Sequence, residues 1–541
     1  MVEAARLFRI HPGARVETPL CRLAQHLGGM VGGRRYGLAF LLGVSAAGAL
    51  PPVDLTPLVA VAFPGLLWLD EGSAGPWASF ALGWSFGLGF FLAGLYWVAA
   101  ALFVDLRAFW WLVPIAALGL PAVLALYSGA ALGATALLAR HLRLPPTARV
   151  CAFAICWTAA GWVRGHAFTG FPWNLIGYAW SGAFPGALAM LQSVSWIGIY
   201  GLSLITVLAA SLLALLGTPL LAPVTPGRRR GPIIAVVLLI LVPSAAGAVR
   251  LARSAPADTG IWLRLVQPSI PQSLKWNPAA AQRNFDRLLV LSREPVTHRL
   301  AAVLWPEAAV PFLIGRDAPA RRAIAAVAPK GGYLITGALR ANPPPGPVTR
   351  LWNSIEAVNR QGKIVARYDK THLVPFGEYV PAWVRDILPI KKITAGMIDL
   401  SAGPGPQTIT LPDLPAFSPV VCYEVIFPGE VVDESRRPAW ILNVTDDAWY
   451  GRTSGPYQHF AIARTRAVEE GLPLIRVANN GISGVVDAEG RVVTQLGLDD
   501  IGYADVVLPV AGARTLYATE GDLPLLVLLV LTAVPVALRL R

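Results

Sequence analysis

Seven apolar stretches precede one long polar segment, and an eighth apolar stretch closes the chain. They lie near residues 36–51, 53–69, 78–101, 111–138, 148–163, 187–216 and 233–250, and then 522–538. Crossing the hydrocarbon layer of a bilayer takes roughly 20 mostly apolar residues. Within lipid every backbone N–H and C=O has to find a partner inside the segment, so such stretches fold as helices. The first two are short and meet at Pro51-Pro52, which predicts a tight hairpin. Charged residues make up only 14% of the 541, against about 25% in an ordinary soluble domain. The layout therefore predicts a tail over 1–35, a transmembrane domain of seven spans over 36–250, a soluble domain over 251–521 and an eighth transmembrane helix over 522–538. The tail is basic and mixed, without a short apolar core followed by a small-residue cleavage site, so no cleaved signal peptide is expected.

A net charge of +13 raises the possibility of a nucleic-acid partner, but the arginines sit beside apolar runs and no nucleic-acid-binding motif accompanies them. Their placement orients the chain instead. Arg6, Arg9, Arg15, Arg22, Arg34 and Arg35 precede the first span. With that end cytoplasmic, Arg140, Arg143 and Arg149, then Arg228, Arg229 and Arg230, then Arg539 and Arg541 fall on the same side. The opposite loops hold only Arg107 and Arg164. This is the positive-inside pattern, and seven spans then put 251–521 outside the cytoplasm. The loop 164–186 faces the same side; Phe168, Phe171, Trp173, Tyr178 and Trp180 read either as an aromatic belt at the water interface or as a lipid-facing wall beneath an active site.

Residues 258–510 alternate β-rich runs with helical stretches. Strands are expected at Ile261–Gln267, Ala302–Trp305, Tyr333–Ala338, Ser354–Val358, Ile364–Tyr368, Ser418–Cys422, Trp440–Val444, Leu474–Ala478, Gly484–Asp487 and Tyr503–Val507, with helices at 279–293, 317–328 and 456–471. That mixture predicts a layered α/β domain with buried sheets and outer helices.

Three polar residues follow apolar strands in this domain, where chemistry tends to sit. In Trp305-Pro-Glu307 a proline stops a buried-looking strand and a carboxylate follows. Burial would tune Glu307 toward a general base; the plain alternative is a charge at a helix N-terminus. All six lysines lie between Lys275 and Lys392, and Lys370 ends a strand eight residues before Glu378. It suits an oxyanion holder or a surface ion pair with Asp369 or Glu378. Of four cysteines, Cys21, Cys151 and Cys156 lie outside the soluble segment and Cys422 stands alone within it, so its thiol is reactive, inert and buried, or intermolecular. No cysteine spacing suggests zinc.

Together these segments resemble the apolipoprotein N-acyltransferase family, the membrane-bound branch of the nitrilase superfamily. The resemblance rests on Gln267-Pro-Ser-Ile-Pro-Gln-Ser-Leu-Lys-Trp276, Trp305-Pro-Glu307, Tyr368-Asp-Lys370-Thr-His-Leu-Val-Pro-Phe-Gly-Glu378, Cys422-Tyr-Glu424, Asp447-Ala-Trp449 and Asn479-Asn-Gly-Ile-Ser483, in this order and bracketed by the spans. It implies a nitrilase-like αββα sandwich joined to an eight-helix transmembrane domain. It implies Glu307 as base, Lys370 as oxyanion stabiliser and Cys422 as nucleophile, with Glu378, Tyr423 and Glu424 supporting the site and Trp276 and Trp449 as substrate-binding candidates. One departure is visible: the family often has Asn where this chain has Asp446.

The resemblance further implies ping-pong transfer from a phospholipid, phosphatidylethanolamine by analogy, to the α-amino group of a diacylglyceryl apolipoprotein. No metal or organic cofactor is needed. The expected setting is the bacterial inner membrane, with a periplasmic catalytic domain, cytoplasmic termini and a monomeric chain. The segment 379–397 carries Trp383 and Ile387 as further substrate-contact candidates and reads as a mobile lid or as an ordinary packed cover. The competing readings are a membrane-tethered amidase, a cysteine–histidine protease using His298, His372 or His459, and a transporter or non-catalytic scaffold.

Overall fold

A computed structural model describes residues 18–217, 226–343, 346–386, 392–394, 396 and 398–538. Strand alternation organises the soluble half. Along β2 (Leu300–Val310), Ala302 and Leu304 enter the core between two sheets, while Val303 and Trp305 point to helices outside, as a two-residue period demands. Every other strand of the domain is placed around it: β1 (Asp258–Gln267), β3 (Tyr333–Ala341), β4 (Leu351–Asn359), β5 (Ile364–Asp369), β6 (Ile409–Leu411), β7 (Leu414–Val421), β8 (Trp440–Thr445), β9 (Leu474–Ala478), β10 (Ser483–Val486), β11 (Val492–Leu496) and β12 (Gly502–Pro509).

The sheet orders are β12-β1-β2-β3-β4-β5 and β11-β10-β9-β8-β7-β6. Phe417, Trp440 and Leu442 of the second sheet meet Leu263, Leu304 and Ile355 of the first. Helices Pro278–Arg293 and Ala318–Val327 cover the first sheet. Helix Gly455–Glu470 covers the second, and its core runs on without a break into the membrane helices: Phe460, Ile462, Leu474 and Val486 share one cluster with Phe86, Trp173 and Val207. The αββα sandwich is thus the fold of this half. Its β6 and β11 were not anticipated. The main correction is to β2, which does not stop at Pro306 but continues through Glu307. Proline lacks the donor for a ladder bond, and the pairing of β2 with β3 accordingly breaks register between Trp305 and Val310.

Helices occupy all eight apolar stretches. Among the described residues four stretches, Pro76–Asp105, Trp110–His141, Val194–Leu216 and Arg230–Arg253, are long and apolar enough to cross a membrane; Leu523–Ala537 is apolar but shorter. Helix Gly33–Ala47 has 15 residues, reaching about 22 Å at 1.5 Å each, less than a hydrocarbon core of about 30 Å. Within the expected tail, Pro19–Gly28 is a helix that buries Cys21, Ala24 and Leu27; residues 1–17 lie outside the described residues. The expected span 187–216 is broken: Ala187–Leu191 precedes Val194–Leu212, which kinks at Gly198 (φ 63°). A Cβ there would stand 2.4 Å from the Tyr517 ring. The kink leaves the Ile199 N–H to donate to Glu469 Oε1 of the soluble half at 2.8 Å.

In the loop after helix Pro146–His166 the five aromatics range from buried to exposed positions. Trp173 and Tyr178 are buried, and Trp173 Nε1 donates to Gln458 Oε1 at 2.8 Å. Only Phe168 stands fully exposed among the five aromatics. Arg164, expected in that loop, ends the preceding helix, where it is buried and donates to the carbonyls of Phe171 and Trp173 at 2.6 Å each. The loop is a docking surface between the two halves.

Candidate active site

Glu307, Lys370 and Cys422 leave three different strands and converge. Glu307 sits within β2, Lys370 directly follows β5 and Cys422 directly follows β7. All three are buried, Lys370 to 1% exposure. Lys370 Nζ lies 3.0 Å from Glu378 Oε2 and 3.8 Å from Glu307 Oε1. Asp369 is no partner of Lys370; it is bound by Arg340 at 2.6 Å. The surface-pair reading of Lys370 fails on burial.

One residue of the cluster escaped sequence reading. Asn353, in β4, donates through Nδ2 both to Glu307 Oε1 (2.7 Å) and to Glu378 Oε1 (2.9 Å). Its carbonyl accepts from the Lys370 N–H at 2.8 Å. An amide near the start of a largely buried strand that also carries Ser354 and Glu356 was the only available signal. Asn353 and Lys370 occupy one side of Glu307. Its other oxygen, Oε2, is buried and has no hydrogen bond among the described residues.

Two backbone positions are unusual. Cys422 has φ 49° and Ala308 has φ 44°, a region L-residues rarely occupy and that persists where the surroundings enforce it. The chain before Ala308 passes directly against Gly337 of β3. A Cβ on Gly337 would stand 2.5 Å from Glu307 Cα and 2.6 Å from the Pro306 carbonyl oxygen. We expect Gly337→Ala to push the Glu307 bulge aside, lowering turnover at least about tenfold and stability by about 1–3 kcal/mol. Steady-state turnover and thermal melting in detergent check this; an unchanged rate would mean that the close approach does not position Glu307.

The remaining sequence candidates fall into distinct places. Glu378 is buried, and its Oε2 also accepts from the Val374 N–H at 2.9 Å. Glu424 is an architectural tie: it accepts from Tyr368 OH, Thr371 N and Thr371 Oγ1 on one oxygen and from Val421 N on the other. It therefore binds the turn after Lys370 to the strand before Cys422. Tyr423 is buried and donates to the Gly170 carbonyl at 3.1 Å, joining the site to the membrane-side loop. Trp276 and Trp449 are half-buried. Trp383 belongs to the short helix Ala382–Arg385, its side chain outside the described residues; Ile387 also lies outside them.

The three histidines do not make a protease dyad. His298 stacks on Trp262, and His372 contacts the Thr169 carbonyl at 2.7 Å. His459 lies between Asp447 (Nδ1···Oδ1 2.9 Å) and the main-chain carbonyl of Cys422 (Nε2···O 3.2 Å), not its sulfur. Asp447 also binds Arg476 at 2.7 Å. Burial alone would raise the Asp447 carboxyl, but Arg476 and His459 bring it down to about 2.

The electrostatics describe a resting thiol with a base beside it. Burial pushes the Cys422 thiol well up and Glu307 adds to the effect, outweighing Lys370. Burial opposes the charge on Lys370, yet Glu378 and Glu307 overcome it and hold the ammonium firmly protonated. Burial raises Glu307 above the usual carboxylate range, against the pull of Lys370. Such a set can pass a proton from sulfur to carboxylate and hold a developing oxyanion on the ammonium. Close by, a cavity of about 480 Å³ opens between Gly165–Gly170 of the membrane-side loop and Thr371, His372, Phe427 and Glu430.

Comparisons with known proteins agree with this division of the chain. Residues 42–212 match the family described as apolipoprotein N-acyltransferase N-terminal domain, and residues 263–515 match carbon-nitrogen hydrolase. A Rhodopseudomonas palustris protein named apolipoprotein N-acyltransferase is 40% identical, covering 94% of this chain and 96% of its own. One of the same name from Bradyrhizobium diazoefficiens is 42% identical, with the same 94% and 96% coverage. Among solved structures, an amidase from Nesterenkonia sp. is similar at 20% identity, covering 49% of this chain and 95% of that one with a TM-score of 0.34.

Proposed function

Because the chain belongs to the apolipoprotein N-acyltransferase family, we infer that Cys422, Glu307 and Lys370 carry its acyl transfer from phospholipid to lipoprotein. The protein is an acyltransferase of lipoprotein maturation in a bacterial membrane. Glu307, through its unpartnered Oε2, takes the thiol proton of Cys422. The thiolate attacks the donor ester, phosphatidylethanolamine at its first acyl position, and the ammonium of Lys370 holds the tetrahedral oxyanion. Collapse breaks the ester C–O bond; Glu307 returns the proton to the departing lysophospholipid and the acyl group stays on sulfur. The lipoprotein α-amine then attacks the thioester, Glu307 takes its proton, and collapse breaks the C–S bond. The proton goes back to Cys422.

The burial of all three groups, with the ammonium shared between two carboxylates, carries this reading. Site and membrane helices belong together for a physical reason. Both substrates keep acyl chains in lipid, and exposing them costs about 0.8 kcal/mol per CH₂. The arginine distribution supports residues 251–521 lying outside the cytoplasm with both termini inside it; the inner membrane and a monomeric chain belong to the same reading by family analogy. In the described part of 379–397, Thr394 Oγ1 donates to the Gly377 carbonyl and Lys392 Nζ to Thr394 Oγ1, contacts a lid would break to move.

The test is incubation of the purified enzyme with phosphatidylethanolamine labelled in its first acyl chain. A thioester on Cys422 that persists in water and discharges to a diacylglyceryl peptide is expected. Rapid release of free fatty acid without an amine would make water the acceptor and the protein a membrane-tethered hydrolase of the nitrilase type instead.

A further inference from the structure

A second buried lysine reaches Glu307 from behind. Lys275 ends the short helix Gln272–Lys275 and is 7% exposed. Its Nζ pairs with Asp446 Oδ2 and donates to the main-chain carbonyl of Glu307 at 3.0 Å. Asp446, directly after β8, is 1% exposed; its Oδ1 accepts from Asn479 Nδ2 at 3.0 Å and from Ala448 N at 3.3 Å. Burying two charges is a poor way to gain stability, so the location of this pair is informative. It grips the chain where β2 loses register with β3 and Ala308 turns left-handed.

We propose that Lys275 and Asp446 are positioning residues for Glu307. The ammonium pins the carbonyl of the bulge, so the carboxylate keeps its place beside Lys370. Asp446 cancels the lysine's charge, so that the carboxylate stays basic enough to accept the thiol proton. This rests on Glu307 being the base inferred above. The family often has Asn at this position; here the acid offsets a cation that an amide would leave bare behind the base. The opposing effects are visible at Glu307, which Lys275 pulls down and Asp446 pushes up.

The groups facing Glu307 are Lys370 after β5, Glu378 beyond it, Asn353 of β4, Cys422 after β7, Tyr450 after β8, and the pair itself. All but the pair stay constant in the experiment. It measures kcat and kcat/KM against pH for full-length Asp446→Asn, Lys275→Met and the double variant in detergent, with labelled phosphatidylethanolamine and a diacylglyceryl peptide.

Asp446→Asn leaves the cation unbalanced, so the acidic limb moves down by about one pH unit. Lys275→Met leaves the anion unbalanced, so the limb moves up by about as much, and kcat falls roughly tenfold as the bulge loosens. The double variant has no uncompensated charge and folds even where Lys275→Met alone does not. It returns the limb to its original pH while keeping the loss in kcat. Unmoved limbs, or limbs moved the same way by both single changes, overturn the proposal. Glu307→Gln, measured alongside, separates the two levels. An active variant removes the base and this inference with it, whereas an inactive one with unmoved limbs removes only the positioning role.

Discussion

Cys422→Ser abolishes acyl transfer, by at least about a thousandfold, judging by what nucleophile removal costs in other enzymes of this type. The change replaces sulfur by oxygen and little else. The backbone at 422 is held left-handed by its surroundings: the Cys422 carbonyl faces His459, and Glu424 accepts from the preceding Val421 N–H. Serine therefore takes up the same position and the fold persists. The chemistry does not. A carboxylate raised by burial is matched to a thiol, which ionises near 8.5 in water. A hydroxyl is far more reluctant, and the ammonium of Lys370 is already shared between Glu307 and Glu378. With labelled phosphatidylethanolamine, mass spectrometry should find an acyl group on Cys422 in the wild type and none on the variant, whose thermal melting is unchanged. Full transfer by the variant would leave Cys422 a buried structural thiol and the protein's chemistry elsewhere.

Lys370→Met has the second large effect, and it strikes twice. Turnover loses the oxyanion donor, typically worth about 10²–10³ in rate. Stability falls too, because Glu307 and Glu378 are left without their shared cation at 6% and 4% exposure. Breaking a buried pair in this way costs about 3–5 kcal/mol, and one carboxyl responds by taking up a proton. The sign with pH follows. Without Lys370 the folded-state carboxyl pKa lies above its unfolded value, so the variant is most stable below the ordinary carboxylate range. It loses stability as pH rises through the elevated value. Adding Glu378→Gln removes one of the stranded charges, which restores much of the melting temperature but none of the activity. Melting curves and turnover between pH 5 and 8 separate the two losses; a Lys370→Met enzyme that melts like the wild type at every pH would mean that the ammonium does not hold the carboxylates together.

Much of the site was legible because local chemistry marks it. Cys422 and Lys370 each directly follow a strand, and a reactive or charged group in that position is a recognisable irregularity. Glu307 was found by the same rule although the rule misplaced the strand's end: Pro306 does not stop β2 but dislocates it. Asn353 was invisible because its importance lies in bridging Glu307 and Glu378, 46 and 25 residues away. Lys275 was hidden in the same way, since its partner Asp446 is 171 residues distant. Glu424 could be noticed next to Cys422, but that it ties down the turn after Lys370 depends on how β5 and β7 are set across the two facing sheets.

Hydropathy and periodicity act within a segment, and they determined what a segment can be. The apolar stretches, the alternating strands and the amphipathic covering helices follow from whether each run of side chains prefers lipid, water or a protein core. Which segments meet was decided only by tertiary structure. The break at Gly198, the docking of Trp173 on Gln458 and the gathering of Lys275, Asn353 and Asp446 around one carboxylate arise from strand register and interdomain packing. Those contacts join residues tens to hundreds of positions apart. Their strength depends on burial and exact separation, quantities that exist only once the chain has folded.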